Sequence, residues 1–473
     1  MKRIIIILYS FSVILTLNTC KNEKPIIRLP VDFNAVAESY AKLCLQLDKY
    51  DHGFVDAYYG PKRYEEEVAK EKMTLDDIQK RADSLLKVIN SFNPKYFKDL
   101  WRTRYYNMKV SLESIIARVD LVSGRQMSFE EEAKRIYDIE IPEFDTTDLE
   151  YEKILYSIDQ QLPKWITSDF LDSLKQSGAL EPDTVIESSV IYRFSHLDSL
   201  RLRYLEFRNK FIVPKDKIPE LISTALKEAR SRTMKFVTLP KNEKCVVEYV
   251  TNQPWGAYNW YKGNCFSLIQ INTDLPIYID QIVNYVCHEA YPGHHVYHSL
   301  RDKNYYRDSV WMEFTVIPLF APSAVISEGL AQIGINTAFP SEERILFEQD
   351  VLFPLAGFDS KKVKFYYSLR ELVKKFDMAV LETEIKFMEG RIDKEEAIKL
   401  LMKYQLNTRE RAEKSLSFLE KYRAYIATYT IGEKLIDDYM LVNDAGEDMP
   451  NARRLEYNKL LVKPIIPSSI KIE

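Results

Sequence analysis

Six histidines occur in this chain of 473 residues, and four of them, His288, His294, His295 and His298, fall within eleven consecutive positions. They sit in Val286-Cys287-His288-Glu289-Ala290-Tyr291-Pro292-Gly293-His294-His295. Neutral imidazole is the commonest zinc ligand, and a glutamate beside the first ligand can take a proton from a water that the metal acidifies. In an HExxH motif the two histidines, four residues apart, share one helix face. Here the second histidine is six or seven residues on. At about 100° and 1.5 Å per residue, position i+6 faces away, and i+7 lies about 10 Å along the axis. A straight helix therefore cannot bring two of these nitrogens to one ion. Pro292 offers a way out, because its ring clashes with the carbonyl of residue 288 and drives Tyr291 from helical angles. Gly293 can then turn the chain back. The competing expectation is a surface histidine cluster after a broken helix.

A third ligand is expected at Glu328, the lone acid in the apolar and small-residue stretch from Pro322 to Ala331. An isolated carboxylate is costly to bury without a cation, which here is a metal or else a lysine or arginine. Three protein ligands and one open position make a catalytic zinc site, whereas a structural zinc is closed by a fourth side chain.

The elements that must hold these residues are mostly helical. Glycine is scarce, 13 of 473 residues, which disfavours folds built on many tight turns. Residues from about 33 to 234 read as successive amphipathic helices; Leu112, Ile115, Ile116, Val119 and Val122 mark one buried face. Ser128 with Glu131 forms a capping-box pattern, and Asp393 with Glu396 resembles one, which places two helix starts. Between about 235 and 275 the runs around Val246–Val250 and Phe266–Ile271 have strand composition, joined by an aromatic and amide-rich loop from Asn252 to Asn264. Five glycines cluster between 256 and 334, so function is expected there. After Gly334 the helical pattern returns, notably over about 341 to 389 and from Asp393 to about Tyr439.

Hydrophobic residues at 46% and charged residues at 29% describe a globular chain, and the net charge of −4 provides no field for nucleic acid. No protein partner is predicted. Residues 1–20 read as an export signal: Lys2 and Arg3 precede an apolar run from Ile4 to Leu17. Leu17-Asn18-Thr19-Cys20 resembles a lipobox, which predicts cleavage before Cys20 and a membrane anchor through its lipidated thiol, with Thr19 departing from the usual small residue. The chain then divides into a tether over 21–32, a helical region over 33–234 and a catalytic region over 235–473, the last two read as one continuous fold. Cys44, Cys245, Cys265 and Cys287 are expected as buried thiols; a Cys245–Cys265 cross-strand disulfide is the alternative.

The run from Val250-Thr251-Asn252-Gln253-Pro254-Trp255 through Ile271-Asn272-Thr273-Asp274-Leu275-Pro276 to HEAYPGHH, with Asp56-Ala57-Tyr58-Tyr59-Gly60-Pro61 and Glu328-Gly329, resembles the bacterial family catalogued as domain of unknown function 885, rich in predicted lipoproteins. More distantly, Tyr425-Ile426-Ala427-Thr428-Tyr429-Thr430-Ile431-Gly432 is similar to the YFPTYTLG-type stretch of the carboxypeptidase Taq family of zinc metallopeptidases, whose HEAGH becomes HEAYPGH by insertion of Tyr291-Pro292. This similarity implies a mainly α, gluzincin-like fold with a small β-sheet beside the active-site helix. It implies His288, His294 and Glu328 as zinc ligands, Glu289 as general base, and Tyr425 or Tyr429 as support for the transition state. Aligning the two motifs keeps glycine before the ligand and selects His294 over His295.

The expected function is zinc-dependent hydrolysis of a peptide substrate outside the cytoplasm, as a carboxypeptidase or oligopeptidase, with the strand near Phe266–Ile271 holding the peptide by edge pairing. The alternative is a non-catalytic lipoprotein that captures peptides or glycans on the Trp255/Trp260/Tyr261 loop and carries a structural metal.

Overall fold

Thr74, Ser128, Thr147, Asp393 and Thr408 each accept a hydrogen bond from the backbone N–H three residues on, and each opens a helix. Ser128 and Asp393 thus cap as expected. Glu131 does not complete a capping box; its carboxylate pairs with Arg125 and Arg135 instead. A computed structural model describes residues 31–176, 196–443 and 449–470. The export signal, Cys20 and the tether as far as residue 30 lie outside the described residues.

The first helices are α1 (Val31–Leu47), α2 (Lys62–Lys70), α3 (Leu75–Asn90), α4 (Asp99–Val122) and α5 (Phe129–Tyr137). They are followed by α6 (Asp148–Gln161), α7 (Ser168–Gln176), α8 (His196–Asn209) and α9 (Ile218–Thr233). On α4, Leu112, Ile115 and Val119 are buried, while Ile116 and Val122 are half-buried at the edge of that stripe. The middle of the chain forms α10 (Ile279–Tyr285), α11 (His294–Arg301) and α12 (Pro322–Ala338). Then come α13 (Ser341–Phe347), α14 (Phe353–Ala356), α15 (Val363–Lys374) and α16 (Asp377–Met388). The last are α17 (Lys394–Gln405), α18 (Arg409–Tyr422), α19 (Ala427–Asn443) and α20 (Met449–Val462).

Two main cores form, each drawing residues from both sides of position 234. One joins Phe33, Leu112 and Ile115 to Ile398, Leu416 and Tyr425. The other joins Tyr151 and Leu221 to Ile282, Phe353, Tyr366 and Tyr457. Helix α12 serves both: Val325 packs into the first, and Ile326 and Leu330 into the second. A helix apolar all round is a buried helix, and this one carries Glu328 into the interior.

Strand β1 (Val55–Tyr58) pairs antiparallel with β5 (Val316–Pro318). In a second sheet β2 (Lys244–Val250) runs parallel to β4 (Phe266–Asn272), and β3 (Ala257–Tyr261) pairs antiparallel with β4, giving the order β2-β4-β3. Two expectations are corrected here. The stretch from Asn252 to Asn264 is not all loop, since β3 forms within it; turns with positive φ at Asn252 and Gly263 set it off on either side. Phe266–Ile271 is the central strand, with both edges occupied, so it cannot pair with a peptide. Cys245 stands opposite Ser267 in the ladder, not Cys265, and all four described cysteines are free thiols. Among the described residues no helix is long and apolar enough to cross a membrane.

Candidate metal centre

The motif begins on α10 and leaves helical geometry gradually. Residues Val286–Ala290 form a π-helical turn, closed by the Tyr291 N–H on the Val286 carbonyl at 3.0 Å. Tyr291 is then extended, as the residue before a proline must be, with φ −124° and ψ 112°. The Gly293 N–H returns to the Cys287 carbonyl at 2.9 Å, and α11 starts at His294. The chain crosses so closely over the preceding turn that a Cβ on Gly293 would stand 2.0 Å from the His288 carbonyl oxygen. Glycine is the residue that permits this path. Tyr457 of α20 fastens it, its hydroxyl lying 3.2 Å from the Pro292 carbonyl and 2.9 Å from that of Leu330. From the other side, Asn259 of β3 donates its Nδ2 to the Glu289 carbonyl at 2.5 Å.

This path brings His288 and His294 together, their rings perpendicular at 88° with centroids 4.6 Å apart. Glu328 Oε2 lies 3.2 Å from His288 Nε2 and 3.6 Å from His294 Nε2, and the three donor atoms fall within 4.8 Å of one another. Two donors each about 2.0–2.1 Å from a tetrahedral zinc stand about 3.3 Å apart. The spacing therefore fits such an ion, and so does the donor set. Glu328 Oε2 is buried without a hydrogen-bond partner. Burial alone would raise the Glu328 carboxyl, yet His294 and His288 hold it well below the usual carboxylate range. Its other oxygen, Oε1, accepts from Tyr425 at 2.9 Å. The Nδ1 of His294 lies 3.0 Å from Ser327 Oγ, which leaves Nε2 to face the carboxylate. Such outer partners fix ring orientation in metal sites.

His295 points elsewhere. It is fully buried between Ser267 Oγ, 2.9 Å from Nδ1, and Glu243 Oε2, 3.0 Å from Nε2. His298 lies behind His294 with its ring nearly parallel, at 6.0 Å.

Glu289 lines the cleft that the three donors face, as do Asp56, Trp255, Tyr258 and Tyr429. Burial pushes the Glu289 carboxyl up to about 7, with Glu328 and Asp56 adding to the rise and His288 opposing it. A carboxyl so poised can exchange a proton near neutrality. Asp56 accepts a hydrogen bond from the Tyr258 hydroxyl, and burial pushes its carboxyl up to about 6. Helix α19 delivers Tyr429 by crossing α12 at two glycines: a Cβ on Gly329 would stand 2.4 Å from the Gly432 carbonyl oxygen. The ring of Tyr429 meets that of Tyr425 edge-on at 5.6 Å. Of the aromatic loop, Trp255 reaches the cleft, Trp260 bonds Gln270 on the sheet, and Tyr261 is buried against Asp302.

Sequence reasoning did not assign a role to Ser327, Asn259 or Tyr258. Ser327 adjoins a named ligand, which was the available signal; Asn259 and Tyr258 had none, because their partners lie 30 and 202 residues away.

No family model and no curated protein matches the chain. Among solved structures, the "putative lipoprotein from Colwellia psychrerythraea" superposes with a TM-score of 0.55 over 93% of this chain and 98% of that one, at 12% identity. The two share a fold.

Proposed function

We propose that this chain is an exported, lipid-anchored zinc peptidase of gluzincin-like fold, related to the domain of unknown function 885 family. The observation that carries this reading is the convergence of His288, His294 and Glu328 beside a cleft that Glu289 also lines. The three-donor set, with no fourth His, Cys, Asp or Glu donor among the described residues, favours a catalytic over a structural metal. A zinc ion bound there supplies Lewis acidity, which polarises a substrate carbonyl and acidifies water to a pKa of about 7.

Glu289 accepts the proton of the attacking water and returns it to the leaving amine. Tyr425 is engaged with Glu328, so its work is to orient that ligand. Tyr429, at the cleft wall, is the phenol that hydrogen-bonds the developing oxyanion. The edge strand β3, whose Ala257, Tyr258 and Asn259 line the cleft, takes the place of β4 as the strand that receives an extended peptide. The matching fold of a protein named as a lipoprotein supports Cys20 as the site of lipid attachment.

Elemental analysis and digestion of a peptide library, read by mass spectrometry with and without a chelator, test this reading. One zinc per chain with chelator-sensitive cleavage supports it. Bound zinc without cleavage favours the peptide- or glycan-binding alternative, and a metal-free protein of equal stability removes the metal centre altogether.

A further inference from the structure

We infer that Arg301 anchors the terminal carboxylate of the substrate, so that the enzyme proposed above cuts from the carboxyl end of peptides; this rests on the peptidase reading. Arg301 is 7% exposed and lines the same cleft as the metal ligands. It forms no ion pair with any described residue, and its Nη1 is buried without a hydrogen-bond partner. The neighbouring acids are already committed. Glu313, also on the cleft wall, is gripped by both arms of Arg104 at 2.6 and 3.0 Å. Asp302 accepts from Tyr261 and Arg307.

Aromatic faces surround the guanidinium instead, with the ring centres of Tyr297 and Phe314 at 4.8 and 4.6 Å. These faces offset part of the cost of burying the cation but accept none of its five N–H donors in the plane. The Tyr297 hydroxyl is a polar neighbour of the guanidinium and interacts with it, but without the geometry of a full hydrogen bond. A guanidinium that lines a cleft and has no ion-pair partner among the described residues is matched by a carboxylate.

The helix sets the distance. Arg301 follows His294 by seven residues on α11, hence on the same face and about 10 Å farther along the axis, and helical side chains lean back toward the N-terminus. Extended peptide advances about 3.3 Å per residue. That span is about three extended residues, less the greater reach of the arginine side chain, so a carboxylate held by Arg301 places a peptide bond about two residues upstream beside His294.

The test titrates N-acetyl tetrapeptides, as free acids and as C-terminal amides, into the zinc-loaded protein carrying Glu289→Gln, so that binding is read without turnover. The free acid is expected to bind at least about 30-fold more tightly than the amide. With Arg301→Gln added, that ratio should fall below about 3-fold, and with Arg301→Lys it should be intermediate, since the charge remains and the fork is lost. Equal binding of acid and amide to the parent overturns the anchor, as does an unchanged ratio in Arg301→Gln. If Arg301→Gln fails to fold, the Arg301→Lys ratio carries the assignment, and equal binding of acid and amide to the parent still overturns the anchor. Turnover by the wild type that is indifferent to amidation overturns the anchor and leaves the peptidase standing; acid-selective binding without wild-type turnover does the reverse.

Discussion

The Tyr425 hydroxyl donates to Glu328 Oε1 at 2.9 Å while Oε2 of the same carboxylate stands 3.2 Å from His288 Nε2. One buried carboxylate is thus divided between a phenol in the short 3₁₀ turn Arg423–Ile426 that leads into α19 and an imidazole in the π-helical turn that follows α10. The hydrogen bond fixes which oxygen is available for a metal. Tyr425→Phe should leave the fold intact and weaken zinc binding about 10-fold or more. Competition with a fluorescent chelator measures this, and unchanged affinity would show that Glu328 is oriented without Tyr425.

Glu289→Gln should lower peptide turnover by at least about 100-fold while zinc content stays at one per chain. The amide keeps the shape of the side chain and cannot take a proton. Normal hydrolysis by this variant would assign the base elsewhere.

His294→Ala and His295→Ala should part company. Loss of zinc is expected in the first, whose Nε2 faces Glu328. The second should retain zinc but lose about 2 kcal/mol of stability in denaturant unfolding, because Ser267 is left buried without its partner and Glu243 keeps only Tyr291 and Arg230. Zinc loss in the second alone would exchange the two roles.

Acid should act through Glu243. Burial would raise its carboxyl, but His295, Tyr291 and Arg230 outweigh that and hold it down at about 2. A folded-state value below the unfolded one, about 4.3, means that ionised Glu243 stabilises the fold above that pH. The contribution is lost as pH falls from about 4.3 toward 2. The stability difference between wild type and Glu243→Gln should therefore shrink steadily between pH 5 and pH 3, in steps of about one unit; a difference that does not change would separate the network from acid stability.

Gly329→Ala should cost about 1–3 kcal/mol, since its methyl group meets the Gly432 carbonyl and the helices must part. Because that crossing carries α19 past Glu328, zinc affinity should fall with stability. Thermal unfolding and zinc titration of one preparation check both.

Local forces wrote much of this protein into its residue order. Side-chain caps at Ser128 and Asp393 act across three residues, so these helix starts are readable without a fold. The grouping of His288 with His294, and the isolation of Glu328 in an apolar run, are likewise visible as composition at close spacing. The spacing of the motif also foretold a chain reversal, because no straight helix satisfies it. Which histidine faces Glu328 was a different matter. That depended on a π-helical turn and on the passage of Gly293 over the His288 carbonyl, and in residue order alone His294 and His295 differ by one position. Strand β3 escaped notice because its amides and aromatics look like loop until β4 supplies the hydrogen bonds. Asp56 with Tyr258, and Arg301 with its empty donor, acquire meaning only when distant segments close around one cleft. The burial that perturbs a carboxyl or strands a guanidinium is a property of the assembled interior, to which every packed segment contributes and which no short stretch of sequence contains.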